Sequence, residues 1–252
     1  GCIVALQIDN DLTDNAPHLL TLKRMAQDIG FTAPLWTATG WNSVYGADIP
    51  PLEFLPVFSG YAEAPWTSHT RRLPPNPQFL FLPERNDTAV GADLMEGRPG
   101  GKGIDYHLYP YATCELGGGI QVTGHRRPII SEMDIYALSI CRLGSGNNFV
   151  GYYMYHGGSN PVGIYGCLQE SVKSGYPNDV PGISYDFQAP ISEYGYFRPW
   201  YYRLRILHQF INCFQSLLAP MRPYFQLNEV KASDSESLLF QYLWQAAGSA
   251  GL

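Results

Sequence analysis

The stretch CIVALQIDND, Cys2 to Asp11, reads as an apolar strand that surfaces into two acidic side chains with an asparagine between them. Ile3 to Ile8 is a nearly continuous apolar run, the pattern of a strand buried on both faces of a parallel sheet. Ionised carboxylates are rarely buried without a partner, so Asp9 and Asp11 at such a strand end mark a candidate site and direct the search to a second carboxylate in a matching position. A plainer reading stands beside it, since Asp and Asn are ordinary loop and cap residues ahead of a helix.

Working outward, Asn15 and Pro17 supply an N-cap and an early helical proline. Leu22, Met25 and Ile29 then recur at helical spacing until Gly30 closes the helix. APLWTAT (Ala33 to Thr39) and FLPVFSG (Phe54 to Gly60) read as two further strands. Tyr61 to Asp105 is rich in Pro, Asn and Gly and too long for a simple connection, so it is expected to be functional or part of an inserted subregion. YPYATCELGGG restores the pattern with a strand ending at Glu115. Ser131 and Asp134 start a helix with Met133, Tyr136, Ala137 and Ile140 on one face. NFVGYYMY (Asn148 to Tyr155) is the next strand, followed by a loop through Pro190. Trp200, Leu204, Leu207, Ile211, Phe214 and Leu218 keep a helical rhythm until Pro220. Strands alternating with helices predict an α/β fold with a parallel sheet, either doubly wound or a barrel.

Composition sets the limits. With 252 residues, 45% hydrophobic and 15% charged, the chain has material for a sizeable apolar core. A net charge of -6 without basic clusters argues against nucleic acid or an anionic membrane as partner. Cys2, Cys114, Cys141, Cys167 and Cys213 are odd in number and hold no C-x-x-C, so they read as isolated thiols or small core residues. No apolar window is long enough for a membrane span and no leader is visible. A chain opening on GCIVALQID starts inside a strand, which suggests a piece of something longer. The histidines are scattered, and no metal or cofactor is expected. Asn86 opens an NDT sequon, and the glycines Gly117 to Gly119 lack the context of a phosphate loop.

The chemistry lies at two strand ends, Asp9/Asp11 and Glu115. In a parallel α/β barrel, residues at the carboxyl ends of different strands converge on one mouth, whatever their separation in sequence. Two carboxylates beside a pocket of aromatic rings suit glycosidic bond cleavage, one as nucleophile or base and one as proton donor. Asn10, Asn160 and Tyr185 are of the right type to hydrogen-bond a sugar. Trp36, Trp41 and Trp66 follow candidate strands and suit either stacking on substrate or core packing.

Three further motifs carry a resemblance: HRRPIISEMDI (His125 to Ile135), YYMYHGGSNP (Tyr152 to Pro161) and ISYDFQAPISEYG (Ile183 to Gly195). With these, the chain resembles the glycoside hydrolase family 35 β-galactosidases over roughly residues 1 to 225. The resemblance implies a (β/α)8 TIM barrel, incomplete, with strands four to eight present. It assigns residues 1–225 to the catalytic barrel and 226–252 to the start of a following β-rich domain or tail. The family's Glu-Asn-Glu motif falls on Asp9, Asn10 and Asp11. That makes Asp11 the general acid/base and Asn10 a ligand near the sugar 2-hydroxyl. The family's nucleophile falls on Glu115. Tyr185 is implied beside the pocket, with Phe187 where a second tyrosine is common.

The implied activity is retaining cleavage of terminal β-D-galactosyl residues, without a cofactor. Asp11 is one methylene shorter than the family's glutamate, about 1.5 Å less reach. A retaining pair stands about 5 to 5.5 Å apart, and misplacement on that scale costs on the order of 100-fold in rate. A non-catalytic or degenerate carbohydrate-binding remnant of the same fold is the alternative.

Overall fold

The computed structural model describes residues 3–10, 15–37, 49–63, 70, 76–85, 105, 108–124, 126–164, 166–167, 180–225 and 243–246. Parallel strands run through them in chain order. β1 (Leu6–Gln7) pairs with β2 (Leu35–Thr37), and β2 pairs with β3 (Leu55–Pro56). β4 (Phe58–Gly60) follows after one residue and pairs with β5 (Tyr111–Leu116), which pairs with β6 (Asn147–Tyr152). The intervening Val57 donates its N–H to the Thr37 carbonyl at 3.2 Å, so a single stretch of chain joins the two three-stranded sheets. Sheet neighbours are consecutive in the chain. That order lacks the reversal of a doubly wound sheet, and among the described residues the sheet does not close into a ring.

The sheet is strongly curved. Trp36 on β2 meets Phe149 on β6 edge to face, with ring centroids 4.9 Å apart. Three strand spacings separate β2 from β6, about 14 Å in a flat sheet, so the contact requires the layer to curl toward one face. This accounts for Trp36, whose ring packs on another ring.

Burial follows position in the sheet. Val57 and Phe58 at its middle are fully buried, whereas Ile3 and Val4 are 68% and 70% exposed. The expected two-sided burial of Ile3 to Ile8 is therefore corrected. β1 is an edge among the described residues, with a partner on one side only, and its apolar flank stays open.

Helix α1 (Ala16–Asp28) begins as expected: Asn15 Oδ1 accepts the His18 N–H at 3.3 Å, and Pro17 sits in the first turn. Gly30 ends it at φ +85°, a left-handed conformation open to glycine without Cβ strain. Its buried residues are Leu19 and Ala26, while Met25 and Ile29 face outward. The same periodicity is compatible with either face, and contact with the sheet chooses between them.

Helix α2 (Glu132–Gly144) carries a complete capping box. Ser131 Oγ accepts the Asp134 N–H at 3.3 Å and Asp134 Oδ2 accepts the Ser131 N–H at 2.7 Å. Its buried line is Ile135, Leu138, Ser139 and Arg142, rotated from the expected face, and Met133 is half exposed. The fully buried Arg142 donates to the Leu80 and Glu84 carbonyls, tying down the chain after the short 3-10 turn Pro77–Phe79.

Helix α3 (Pro199–Leu218) buries Trp200, Leu204 and Leu207 against Ile135 of α2, with Tyr152 and Tyr155 alongside. Phe214 on the expected stripe is 44% exposed, because the far half of α3 passes beyond the core. No helix among the described residues is long and apolar enough to cross a membrane.

The loop expected between Tyr155 and Pro190 holds small antiparallel pairs: β7 (Gly158–Ser159) with β10 (Ser184–Tyr185), and β8 (Val162–Gly163) with β9 (Gly166–Cys167). Two-residue strands carry no readable period. After α3, β11 (Met221–Tyr224) pairs antiparallel with β12 (Leu243–Ala246).

Candidate active site

Glu115 is the penultimate residue of β5 and is half buried. In the neighbouring strand Ser59 is its register partner, and Gly60 pairs with Leu116. The next residue, Tyr61, therefore emerges at the same rim, and its phenol donates to Glu115 Oε2 at 2.9 Å. Tyr61 is 1% exposed. Its backbone carbonyl accepts the Asn76 amide at 2.6 Å, and Gly60 O accepts the Gly117 N–H at 2.7 Å. Burial, and next the charge of Glu115, push the Tyr61 pKa well above the usual phenol value. The group is thus a standing donor to the carboxylate.

Close approach of backbone accounts for the glycines after β5. A Cβ on Gly117 would lie 2.9 Å from the Tyr61 ring, one on Gly118 2.3 Å from Met154 O, and one on Gly119 2.2 Å from both Phe187 O and Gln188 O. Only a chain without side chains passes between these three neighbours.

An aromatic wall completes the site. The Tyr153 and Tyr185 hydroxyls are hydrogen-bonded at 2.8 Å, with their rings T-shaped. Phe187 packs on Tyr61, Tyr153 and Tyr185 with centroids 6.0, 5.3 and 5.9 Å away. Phe187 is 1% exposed and Tyr185 half buried, so Phe187 is the packing ring, while Tyr185 keeps partial exposure and a hydroxyl bonded to Tyr153. The structure thus gathers Glu115, Tyr61, Tyr153 and Tyr185.

Phe187 and Gln188 have φ of 56° and 47°, a left-handed backbone that non-glycine residues rarely adopt. The loop is held there by Asp186, whose Oδ2 pairs with Arg198 Nη2 at 2.6 Å, while Arg198 Nη1 donates to Ala189 O at 2.7 Å.

At the other predicted strand end, Asn10 follows β1. Asn10 Oδ1 accepts from Gln7 Nε2 at 2.9 Å, and the Asn10 N–H donates to Asp9 Oδ1 at 2.8 Å. Asp9 Oδ2 is 3.2 Å from His18 Nε2 on α1, a structural tie between strand end and helix. Asp11, Trp41, Trp66 and Asn86 lie outside the described residues. Asn160 ties a loop, with its N–H on Ile183 O at 2.7 Å and its amide 3.4 Å from Gly182 O. Arg126 pairs with Glu63, and His156 Nδ1 lies 2.5 Å from Gly157 O.

Reading the sequence does not single out Tyr61 and Tyr153. A signal for Tyr61 exists, because it directly follows the strand FLPVFSG at the rim where catalytic groups of parallel barrels collect. Tyr153 lies inside the motif YYMYHGGSNP, where alternation along a strand separates it from Tyr152, which faces α3. Among the described residues no three His, Cys, Asp or Glu side chains group as metal ligands.

Residues 107–211 match the family model of the Glycosyl hydrolases family 35. The match includes β5 with Glu115, α2, β6 with Tyr153, and the Tyr185–Arg198 loop. This part of the chain is thus similar to a family of glycosidases, enzymes that act on carbohydrates.

Proposed function

We propose that this chain, similar to glycosyl hydrolases family 35 over its residues 107–211, cleaves terminal β-D-galactosyl residues by a retaining double displacement. The observation that carries the reading is Glu115 at a strand's carboxyl end, hydrogen-bonded by the buried Tyr61 and walled by Tyr153 and Tyr185. The strands β1 to β6 are read as strands four to eight of a (β/α)8 barrel, a reading supported by their consecutive order and by the Trp36–Phe149 contact across the curl. Residues 1–225 form the barrel portion in this reading, and 226–252 begin a β-rich neighbour.

Glu115 attacks the anomeric carbon while Asp11 protonates the departing glycosidic oxygen. Asp11 then takes a proton from the water that releases the sugar. The negative charge on Glu115 is spent in forming the glycosyl ester and returns in the second step. The Tyr61 hydrogen bond steadies the carboxylate in the ionised form that attacks. Asn10 meets the sugar near its 2-hydroxyl, and Tyr185 offers a hydroxyl at the pocket wall.

The test is hydrolysis of an aryl β-galactoside by the chain and by Glu115→Gln. Loss on the order of 1,000-fold or more is expected, the scale for removing a covalent catalyst. Near-normal turnover by the variant overturns the assignment. Galactose binding without product release by the unsubstituted chain favours a carbohydrate-binding protein of the same fold.

A further inference from the structure

Glu193 carries no role in the chemistry above, yet its carboxylate is fully engaged by two hydroxyls. Ser184 Oγ donates to Oε1 at 2.7 Å and Ser159 Oγ donates to Oε2 at 2.6 Å. These serines are direct cross-strand partners in the β7–β10 pair, and the next pair along is Tyr185 with Gly158. A ribbon of two residues per strand has little stability of its own and no long hydrophobic pattern to fix its register. The carboxylate spans the ribbon one residue from Tyr185. Because successive residues point to opposite faces, it grips the face away from the Tyr185 ring. Its own base is fixed: the Glu193 N–H donates to Asp186 Oδ1 at 2.8 Å, and the other oxygen of Asp186 is paired with Arg198. The fit is close, since a Cβ on Gly157 would lie 2.8 Å from Glu193 N and 2.6 Å from Asp186 O.

We propose that Glu193 is a positioning residue for substrate binding, a staple that fixes the register of the β7–β10 ribbon and so holds the Tyr185 hydroxyl against Tyr153 at the pocket wall. The inference rests on the reading of that pocket as the sugar site. A slip of one residue would turn Tyr185 to the opposite face, and two charge-assisted hydrogen bonds on paired serines oppose it.

The experiment uses the full chain with Glu193→Ala, Glu193→Gln, Ser159→Ala and Tyr185→Phe. The first readout is independent of turnover: the ring signal of Tyr185 in carbon-13 tyrosine-labelled protein, assigned by its disappearance in Tyr185→Phe. Glu193→Ala should shift and broaden it, and Glu193→Gln, which keeps an acceptor oxygen, should move it less. If Glu193→Ala does not fold, Ser159→Ala, which removes one of the two bonds, gives the same readout. The second is a kinetic split on an aryl β-galactoside: Glu193→Ala should raise KM about tenfold, the worth of one net hydrogen bond, with kcat changed much less. In a Tyr185→Phe background the same substitution should add nothing to KM. An unmoved Tyr185 signal, or full additivity with Tyr185→Phe, overturns the proposal. A chain that turns over no galactoside while the Tyr185 signal still moves leaves the staple standing and overturns the hydrolase reading instead.

Discussion

Tyr61 and Glu115, 54 positions apart in the chain, are joined by a 2.9 Å hydrogen bond between adjacent strand ends, with the phenol as donor. Parallel pairing of β4 and β5 sets Ser59 beside Glu115 and Gly60 beside Leu116, so Tyr61 follows at the same strand ends and its long side chain reaches back to the carboxylate. Burial keeps the phenol protonated, so the bond persists wherever the carboxylate is ionised.

Tyr61→Phe keeps the ring on Phe187 and removes only this donor. A hydrogen bond to a charged group is worth about 1.5 to 3 kcal/mol, so kcat/KM on an aryl β-galactoside should fall roughly 10- to 150-fold. The acid limb of the pH–rate profile should also move to higher pH, because the ionised form of Glu115 loses a stabilising partner. An unchanged profile and rate would detach Tyr61 from the chemistry.

The tight glycines separate steric cost from backbone cost. Gly119→Ala drives a Cβ to 2.2 Å from two backbone carbonyls that have little room to retreat, so the loop must shift. Destabilisation of several kcal/mol, or loss of the site, is expected. Gly30→Ala meets nothing within 4 Å and is penalised only for its φ of +85°, about 1 to 2 kcal/mol. Denaturant midpoints of the two variants measure the difference. Equal shifts would contradict the packing described for the loop after β5.

Arg198→Ala removes the ion pair with Asp186 and the bond to Ala189 O that together support the left-handed Phe187 and Gln188. Both charged side chains are partly exposed, so the expected loss is about 1 to 3 kcal/mol, well below that of a fully buried pair. Urea unfolding should show a lower midpoint at an unchanged slope.

Burial pushes the Cys141 thiol from the ordinary value of 9.0 up to about 11. A raised pKa favours the neutral thiol in the folded state. Its contribution to stability is therefore complete below pH 9 and is lost as pH rises from about 9 to about 11. Unfolding free energies across that window should fall, and by less in Cys141→Ala. At pH 8, alkylation followed by peptide mass spectrometry should label the exposed Cys213 first and Cys141 only on unfolding.

Much of the architecture is legible without coordinates because its signals are local. The N-cap Asn15 with Pro17, the box of Ser131 and Asp134, and the closure at Gly30 each involve residues within one turn of one another. The parallel strands are readable from their apolar runs, within a residue or two at their ends for β5 and with β1 shortened to Leu6–Gln7. Glu115 stands out because a carboxylate closing a buried strand carries a desolvation cost that a chain rarely bears without a use for the group.

Sequence alone thus determined the order of the parallel strands and the three helices, the N-caps of α1 and α2, and the placing of one carboxylate at a strand end. Tertiary structure alone decided which face of α1 and α2 is buried, that Ile3 and Val4 stay exposed, that Phe187 packs while Tyr185 keeps partial exposure, and that Tyr61 reaches Glu115. The reason is one of range: periodicity and capping are written in neighbouring residues. Which faces meet depends instead on strand register and curl, set by pairings between segments many tens of residues apart.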